Sequence, residues 1–409
     1  MYMEKKNFAV MVKPVGSRCN MRCTYCYYLP LNISHDAIMS LETAEKMIRN
    51  TIESSKGEVV SFVWHGGEPT LRGLEFYRKV VEIQQKYLPE GWQCWNNLQT
   101  NGLGLNDEWC QFLKENHFDV GISLDGTKMA HDFNRHDARG NVTYERIREN
   151  IARLQKYGIN PDLLCTVNSE TVKKPLEVYD NLKNLRTGWM QFIPVVNRDP
   201  DGTIRDESVT DEEYGDFLCN IFNQWVFNDL GKVNVQLFIE LVNMYAGGSA
   251  SLCWLQETCG NVPVVEADGL VYSCDHFVRE NYCIGTVEES FADMLDKPLQ
   301  KQFGLNKRDY LSEKCLNCRY LKLCHGGCPK DRFGEDGQYY LCEGLLKLFR
   351  LSERTIRNLV ELNGRDRQYI MKELKARELA LRNKADRNGP CICGSGLKYK
   401  RCCGRYRVR

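Results

Sequence analysis

Fifteen of the twenty cysteines in this chain fall into three tight groups, and that grouping limits the fold more than any other feature. Cys19, Cys23 and Cys26 form a C-x3-C-x2-C loop after a short apolar run, eight of the nine from Cys253 to Cys342 form the second group, and four close the set between Cys391 and Cys403. Nothing near the start reads as an export signal, because Met1 to Lys6 leads directly into an apolar run too short for a secretory core. In a reducing compartment such groups bind metals or redox cofactors rather than forming disulfides. The expected location is cytoplasmic. The five remaining cysteines, Cys94, Cys110, Cys165, Cys219 and Cys283, lie mostly in apolar surroundings and read as small core residues.

Three thiolates leave a cubane cluster one iron short of full protein ligation, which suggests a fourth iron kept open for a small molecule. Taken alone, the trio is also compatible with a zinc site whose fourth ligand lies elsewhere. A second motif decides between the two. The apolar run Val59 to Val63 leads into Trp64-His65-Gly66-Gly67-Glu68-Pro69, where paired glycines allow backbone to approach a ligand closely. The cysteine loop, with Tyr25 before its third cysteine, and the later Gly-Gly-Glu-Pro together resemble the radical S-adenosylmethionine (SAM) enzymes. The resemblance implies that the open iron chelates the amino and carboxylate groups of SAM, and that reductive cleavage gives a 5′-deoxyadenosyl radical.

With 409 residues the chain can build two or more domains, and its 43% hydrophobic and 27% charged content is that of a globular protein. No run approaches the ~20 apolar residues of a membrane span, so no membrane partner is expected. Net charge is +1, but from Lys347 onward 18 Lys/Arg stand against 6 Asp/Glu. That tail is +12 and the first 346 residues are −11, so the tail is electrostatically a separate module.

Strand-like stretches at 8–12, 59–64, 93–99, 118–124, 162–167 and 189–195 alternate with helical ones at 41–54, 74–88, 107–116, 143–157 and 172–184. Such alternation predicts parallel βαβ units. Ser40 is the expected cap of the first helix, with Glu42 favourably placed in its first turn. The fold class is α/β: six strands match the partial (β/α)6 barrel of the radical SAM family, where ligands sit at the carboxyl ends of the strands. Those ends carry Gln99-Thr100-Asn101-Gly102, Ser123-Leu124-Asp125-Gly126 and Gln191. By motif, the resemblance assigns SAM contacts to Tyr25, Gly66, Gly67, Glu68, Ser123, Arg135 and Val196, with Tyr25 and Val196 flanking the adenine.

Residues 197–210, rich in Asp, Pro and Gly, read as a linker before a helical stretch from about Asp211 to Tyr245. Next come Cys253-x5-Cys259-x14-Cys274, Cys315-x2-Cys318-x5-Cys324-x3-Cys328-Pro329, and Cys342. Eight thiolates provide two four-cysteine sites, with zinc ribbons as the plainer alternative. The segment looks like the twin-cluster SPASM domain of peptide-modifying radical SAM enzymes. Within that group the anaerobic sulfatase-maturating enzymes match best, through Lys13-Pro14, Tyr25-Cys26-Tyr27-Tyr28, the Gly-Gly-Glu-Pro turn, Leu98 to Gly102 and Val271-Tyr272-Ser273-Cys274-Asp275. The match runs from about Phe8 to Leu348. It implies one auxiliary 4Fe–4S cluster on Cys253, Cys259, Cys274 and Cys328, and another on Cys315, Cys318, Cys324 and Cys342, three clusters in all. It also implies that Asp275 is the catalytic base, with His276 as the neighbouring candidate.

Residues 350–387 read as one charged helix, and Cys391, Cys393, Cys402 and Cys403 form a C-x-C-x8-C-C knuckle that resembles the SEC-C zinc motif. Four thiolates around one Zn2+ suffice to fold so short a segment. The expected domains are the barrel at 1–197, a linker and helical segment at 198–250, the SPASM domain at 251–348, the charged helix at 349–387 and the zinc motif at 388–409. The resemblance implies oxidation of a sulfatase cysteine or serine to Cα-formylglycine on an unfolded polypeptide, with SAM as cosubstrate and a flavodoxin- or ferredoxin-type electron donor. A chaperone or ribosome is the expected partner of the basic tail. Two other readings are a SPASM maturase acting on a small precursor peptide, and a cysteine-rich zinc or nucleic-acid adaptor.

Overall fold

The computed structural model describes residues 5–29 and 37–406, and the chain divides into two compact units. The first comprises Met1–Leu124, His131–Asp162 and Thr258–Asn306. Its centre is four parallel strands in the order β1 (Ala9–Val12), β2 (Val59–Trp64), β3 (Gln93–Thr100) and β4 (Asp119–Ser123). Alternate residues of β2, Val60, Phe62 and Trp64, are buried. Trp64 meets Tyr77 edge-on at 5.4 Å and Tyr77 meets Trp109 at 5.3 Å, so one aromatic stack seals this face of the sheet. The helix Leu41–Ser54 begins where the sequence places it, with the Ser40 hydroxyl accepting from the Thr43 N–H at 3.0 Å.

The outer edge of β1 is not left to solvent. Val264–Val265 pairs with it in parallel, Met11 opposite Val264 and Val12 opposite Val265, and Leu270–Tyr272 and Cys283–Thr286 continue antiparallel from there. The first half of the cysteine-rich segment therefore extends the sheet that carries the cysteine loop. A two-residue Val-Val strand has no readable period, so this pairing leaves no mark in the sequence.

The second unit comprises Asp125–Ala130, Leu163–Glu257 and Lys307–Arg409. It carries the last two predicted strands, β5 (Asp162–Val167) and β6 (Trp189–Pro194), parallel to each other, with Asn234–Val235 added beside β6. All six predicted strands form. Asp211–Gln224 opens with a full capping box between Thr210 and Glu213. The charged stretch is two helices, not one: Cys342–Glu361 and Arg367–Lys384. Gly364, at φ +85°, ends the turn after the first, and Asp366 caps the second by accepting from Gln368 N–H at 2.8 Å. Three leftover cysteines, Cys110, Cys165 and Cys219, are buried as expected, while Cys94 and Cys283 are half-buried. No described helix is long and apolar enough to cross a membrane.

Candidate active site

The cysteine loop is clamped from two sides, both within the first unit. On one side the Gly66-Gly67-Glu68 turn donates Gly67 N–H to Gly16 O at 2.9 Å and Glu68 N–H to Arg18 O at 2.8 Å. A Cβ at Gly67 would lie 2.0 Å from the Arg18 carbonyl oxygen, and Gly66 takes φ +114° with Lys13 Cβ 3.1 Å from where its own Cβ would be. The close approach that the paired glycines permit is to the cysteine loop itself. Glu68 is fully buried, and its carboxylate accepts from Thr70 N–H and Oγ1, Thr100 Oγ1 and Asn101 N–H at 2.5–3.0 Å. Burial raises its carboxyl above the usual range while those donors oppose the rise. Glu68 thus ties the turn to the carboxyl end of β3.

On the other side Met21–Cys23 pairs antiparallel with Arg135–Asp137, which sets Cys23 opposite Arg135. Thr24 N–H reaches Asn134 O at 3.0 Å and Ala138 N–H reaches Asn20 O at 2.8 Å. The Arg135 guanidinium lies 4.0 Å from the Cys23 sulfur and 5.3 Å from the centre of the Tyr25 ring. Donors point at the other sulfurs too: Met21 N–H to Cys19 Sγ at 3.3 Å, Asn101 Nδ2 to Cys19 Sγ at 3.7 Å and Leu29 N–H to Cys26 Sγ at 3.3 Å. Without metal, burial and then Glu68 push the Cys19 thiol up to about 12. N–H groups aimed at half-buried thiols suit the thiolate ligands of a cluster, which need hydrogen bonds once iron has displaced their protons. Ser123 ends β4 and takes a hydrogen bond from Gln99 Nε2 at 3.4 Å. Val196 lies in the second unit, buried, with its carbonyl 3.4 Å from Lys330 Nζ.

Asp275 is half-buried and follows Cys274. Its Oδ2 accepts from Tyr27 OH at 2.6 Å, and Tyr27 follows Cys26, so a bond across 248 residues joins the two motifs. The ring of His276 lies 4.9 Å from that of Tyr27. Burial alone would raise the Asp275 carboxyl, but the charges of His276 and Lys13 and the Tyr27 hydroxyl hold it well below the usual carboxylate range. It is therefore ionised at neutral pH. Lys13 and Glu266 are fully buried, 3.7 Å apart, and Tyr28 OH donates to both oxygens of Glu266 at 2.7–2.8 Å. Burial lowers the His65 ring to about 4, with Lys13 adding to the effect, and its Nδ1 accepts from Gly66 N–H at 2.7 Å. Sequence reading missed Tyr27, Glu266 and Lys13 as site residues; a Lys and a Glu inside apolar runs were the available signal.

The second cysteine group is divided between the units. Cys259 and Cys274 lie in the first, where Cys259 N–H bonds Gly304 O at 3.2 Å. Cys253 and Cys328 lie in the second. There, buried Lys307 caps the Cys253 turn through the carbonyls of Cys253 and Trp254, both at 3.0 Å, and of Gln256. His325, Gly326 and Gly327 all take positive φ, and Arg332 pins that turn through His325 O and Gly326 O, both at 2.8 Å. Cys315, Cys318, Cys324 and Cys342 face one cavity walled by Leu346 and Phe349. Four thiols on an apolar cavity fit a four-cysteine cluster.

At the carboxyl end, the sulfurs of Cys391, Cys393, Cys402 and Cys403 all lie within 4.8 Å of one another, Cys393 and Cys402 at 3.4 Å. Tetrahedral zinc thiolates require sulfurs ~3.8 Å apart, so the set fits Zn2+.

Family patterns described as the Radical SAM superfamily, an iron–sulfur cluster-binding domain and the SEC-C motif match residues 14–182, 253–319 and 387–405. A serine-type anaerobic sulfatase-maturating enzyme of Bacteroides thetaiotaomicron is 37% identical over 372 residues, covering 84% of this chain and 89% of that protein. A cysteine-type anaerobic sulfatase-maturating enzyme of Clostridium novyi is 33% identical over 337 residues, covering 80% and 89%. The solved structure of native anSMEcpe with bound AdoMet and Cp18Cys peptide is similar at a TM-score of 0.80 and 30% identity, over 86% of this chain and 99% of that one.

Proposed function

Because the chain belongs to the anaerobic sulfatase-maturating enzymes, a family within the radical SAM superfamily, we propose that it oxidises a cysteine or serine of an unfolded sulfatase to Cα-formylglycine without oxygen. Membership sets aside the zinc or nucleic-acid adaptor. When bound, the cluster of the cysteine trio and SAM supply the radical that takes a hydrogen atom from the target Cβ, and the auxiliary clusters supply the sink for the second electron. Cys19, Cys23 and Cys26 would hold the first cluster. Cys253, Cys259, Cys274 and Cys328 would hold the second, and Cys315, Cys318, Cys324 and Cys342 the third. Tyr25, Gly66, Gly67, Ser123, Arg135 and Val196 are the proposed SAM contacts, and Glu68 braces the turn among them.

The observation that carries the reading is the Tyr27 to Asp275 hydrogen bond. It fixes an ionised carboxylate to the residue after the last cysteine of the trio. Removing a hydrogen atom and an electron from Cβ requires a proton to leave the thiol or hydroxyl, and Asp275 is the proposed acceptor. The proposed electron donor is a flavodoxin or ferredoxin, and the proposed location is the cytoplasm. The five domains named from sequence stand as the proposed functional partition. The +12 tail supports docking of a chaperone or ribosome.

The test is anaerobic incubation of reconstituted protein with SAM, a reductant and a peptide containing Cys-x-Pro-x-Arg or its serine counterpart. Mass spectrometry should show the aldehyde with 5′-deoxyadenosine. Asp275→Asn should still cleave SAM but lose formylglycine ~100-fold, the usual scale for a removed general base. Near wild-type oxidation by Asp275→Asn alongside loss in His276→Gln would give the role to the histidine.

A further inference from the structure

A ligand at the first residue of a helix moves with the helix, by 1.5 Å for every residue of slippage. Cys342 is such a residue, at the start of Cys342–Glu361. The near end of this helix is fixed against Asp211–Gln224: the Asp211 carboxylate accepts from Glu343 N–H at 2.9 Å and from Gly344 N–H. The two backbones touch at a glycine pair, since a Cβ on Gly215 would lie 2.7 Å from Gly344 Cα. One turn further on, Asp216 collects three groups: Lys347 from the Cys342 helix, Arg405 at 3.3 Å and the Tyr406 hydroxyl. Two of the three come from the far end of the cysteine knuckle.

The knuckle grips the same helix twice more. Leu351 packs on the buried cluster of Cys391, Cys402 and Cys403. Arg354 reaches buried Glu378 at 3.0 Å, Arg382 reaches the same carboxylate at 2.7 Å, and Arg382 also donates to the carbonyl of buried Tyr406. Yet the knuckle has almost no apolar core of its own among the described residues. Its buried centre is three cysteines with Ile392 and Tyr399 against Leu351, and its described helices are three-residue 3-10 turns. A segment so built folds on its metal.

We propose that the metal-bound knuckle is a positioning element for Cys342, holding the helix that presents this thiolate to the auxiliary cluster. The proposal rests on the reading of Cys342 as a ligand of that cluster. Loss of metal would free Arg405 and Tyr406 from Asp216 and uncover Leu351, leaving the near end of the helix to Asp211 and Lys347.

The experiment uses the full chain with Cys19, Cys23 and Cys26 changed to Ala, so that only auxiliary iron is present. Zinc and iron per chain, iron release to a ferrous chelator and the electron paramagnetic resonance of the reduced clusters are measured with and without Cys402→Ser and Cys403→Ser. The expected result is loss of zinc, an altered signal from one cluster, and release of its irons about 10-fold faster or more, the scale on which outer partners of metal ligands change metal affinity. Unchanged release and spectrum in zinc-free protein would overturn the proposal. Cys342→Ser separates the two readings: it should itself lose roughly four irons. Full iron retention in Cys342→Ser overturns the ligand reading and the positioning role with it. Loss in Cys342→Ser without any effect of the knuckle variants overturns the positioning role alone. If the double variant fails to fold, Tyr406→Phe decides, since it keeps every thiol: zinc should stay, and iron release should still quicken.

Discussion

A methyl group on residue 67 would sit 2.0 Å from the Arg18 carbonyl oxygen, in backbone that has no flexible end to move aside. Gly67→Ala should therefore push the cysteine loop off the Gly-Gly-Glu-Pro turn, at a cost of about 1–3 kcal/mol for overpacking. SAM cleavage should fall with it, while the irons of the auxiliary clusters stay bound; iron analysis with a 5′-deoxyadenosine assay checks both. His65 gives a pH dependence of defined sign. Burial lowers the ring to about 4, so an unfolded chain binds this proton below its ordinary 6.5 while the folded chain does not. Stability is lost as pH falls from about 6.5 toward 4, with roughly 1 kcal/mol already gone at pH 5.5. His65→Gln should flatten the change in melting temperature between pH 7.5 and 5.5. At this scale the sequence was most legible: each cysteine group and the Gly-Gly-Glu-Pro turn could be named from residue type and spacing. Tyr27 could not, because its partner Asp275 lies 248 residues away and no local pattern encodes that register.

Among the elements, the two-stranded ribbon of Met21–Cys23 with Arg135–Asp137 does the most for the site, and three-residue strands leave no periodic trace. It converts Asn134-Arg135-His136-Asp137 from a surface motif into the second wall of the cysteine loop. Ala138→Pro would delete the N–H that donates to Asn20 O at 2.8 Å. The expected outcome is a several-fold lower rate of 5′-deoxyadenosine formation, scaled by the ~1 kcal/mol of one hydrogen bond, with auxiliary iron unchanged. The six barrel strands, by contrast, were legible because each is four to eight residues long and most bury alternate positions, as β2 does. The break between the two charged helices was missed although its residues are ordinary terminators, Asn363-Gly364 and then Asp366. A run of charges on both sides masked the punctuation.

On the scale of the molecule, the local anchors of the cysteine groups are separate. Gly67 and Arg135 hold the trio, while Lys307 and Arg332 hold turns around Cys253 and Cys324. Changing Cys19, Cys23 and Cys26 to Ala should abolish SAM cleavage and leave about eight irons per chain; unchanged cleavage would contradict the radical assignment. What sequence could not show at this scale is that the segment delivering Asp275 joins the edge of β1. That pairing sets a clock on the ribosome. Val12 emerges early, but its partner Val265 is not synthesised until some 250 residues later, which at about 5–20 residues per second is on the order of tens of seconds. Throughout that interval the nascent chain displays an unpaired apolar strand edge beside reactive thiols. Translation speed and early chaperone cover, more than any property of the finished enzyme, would then govern how much of it matures.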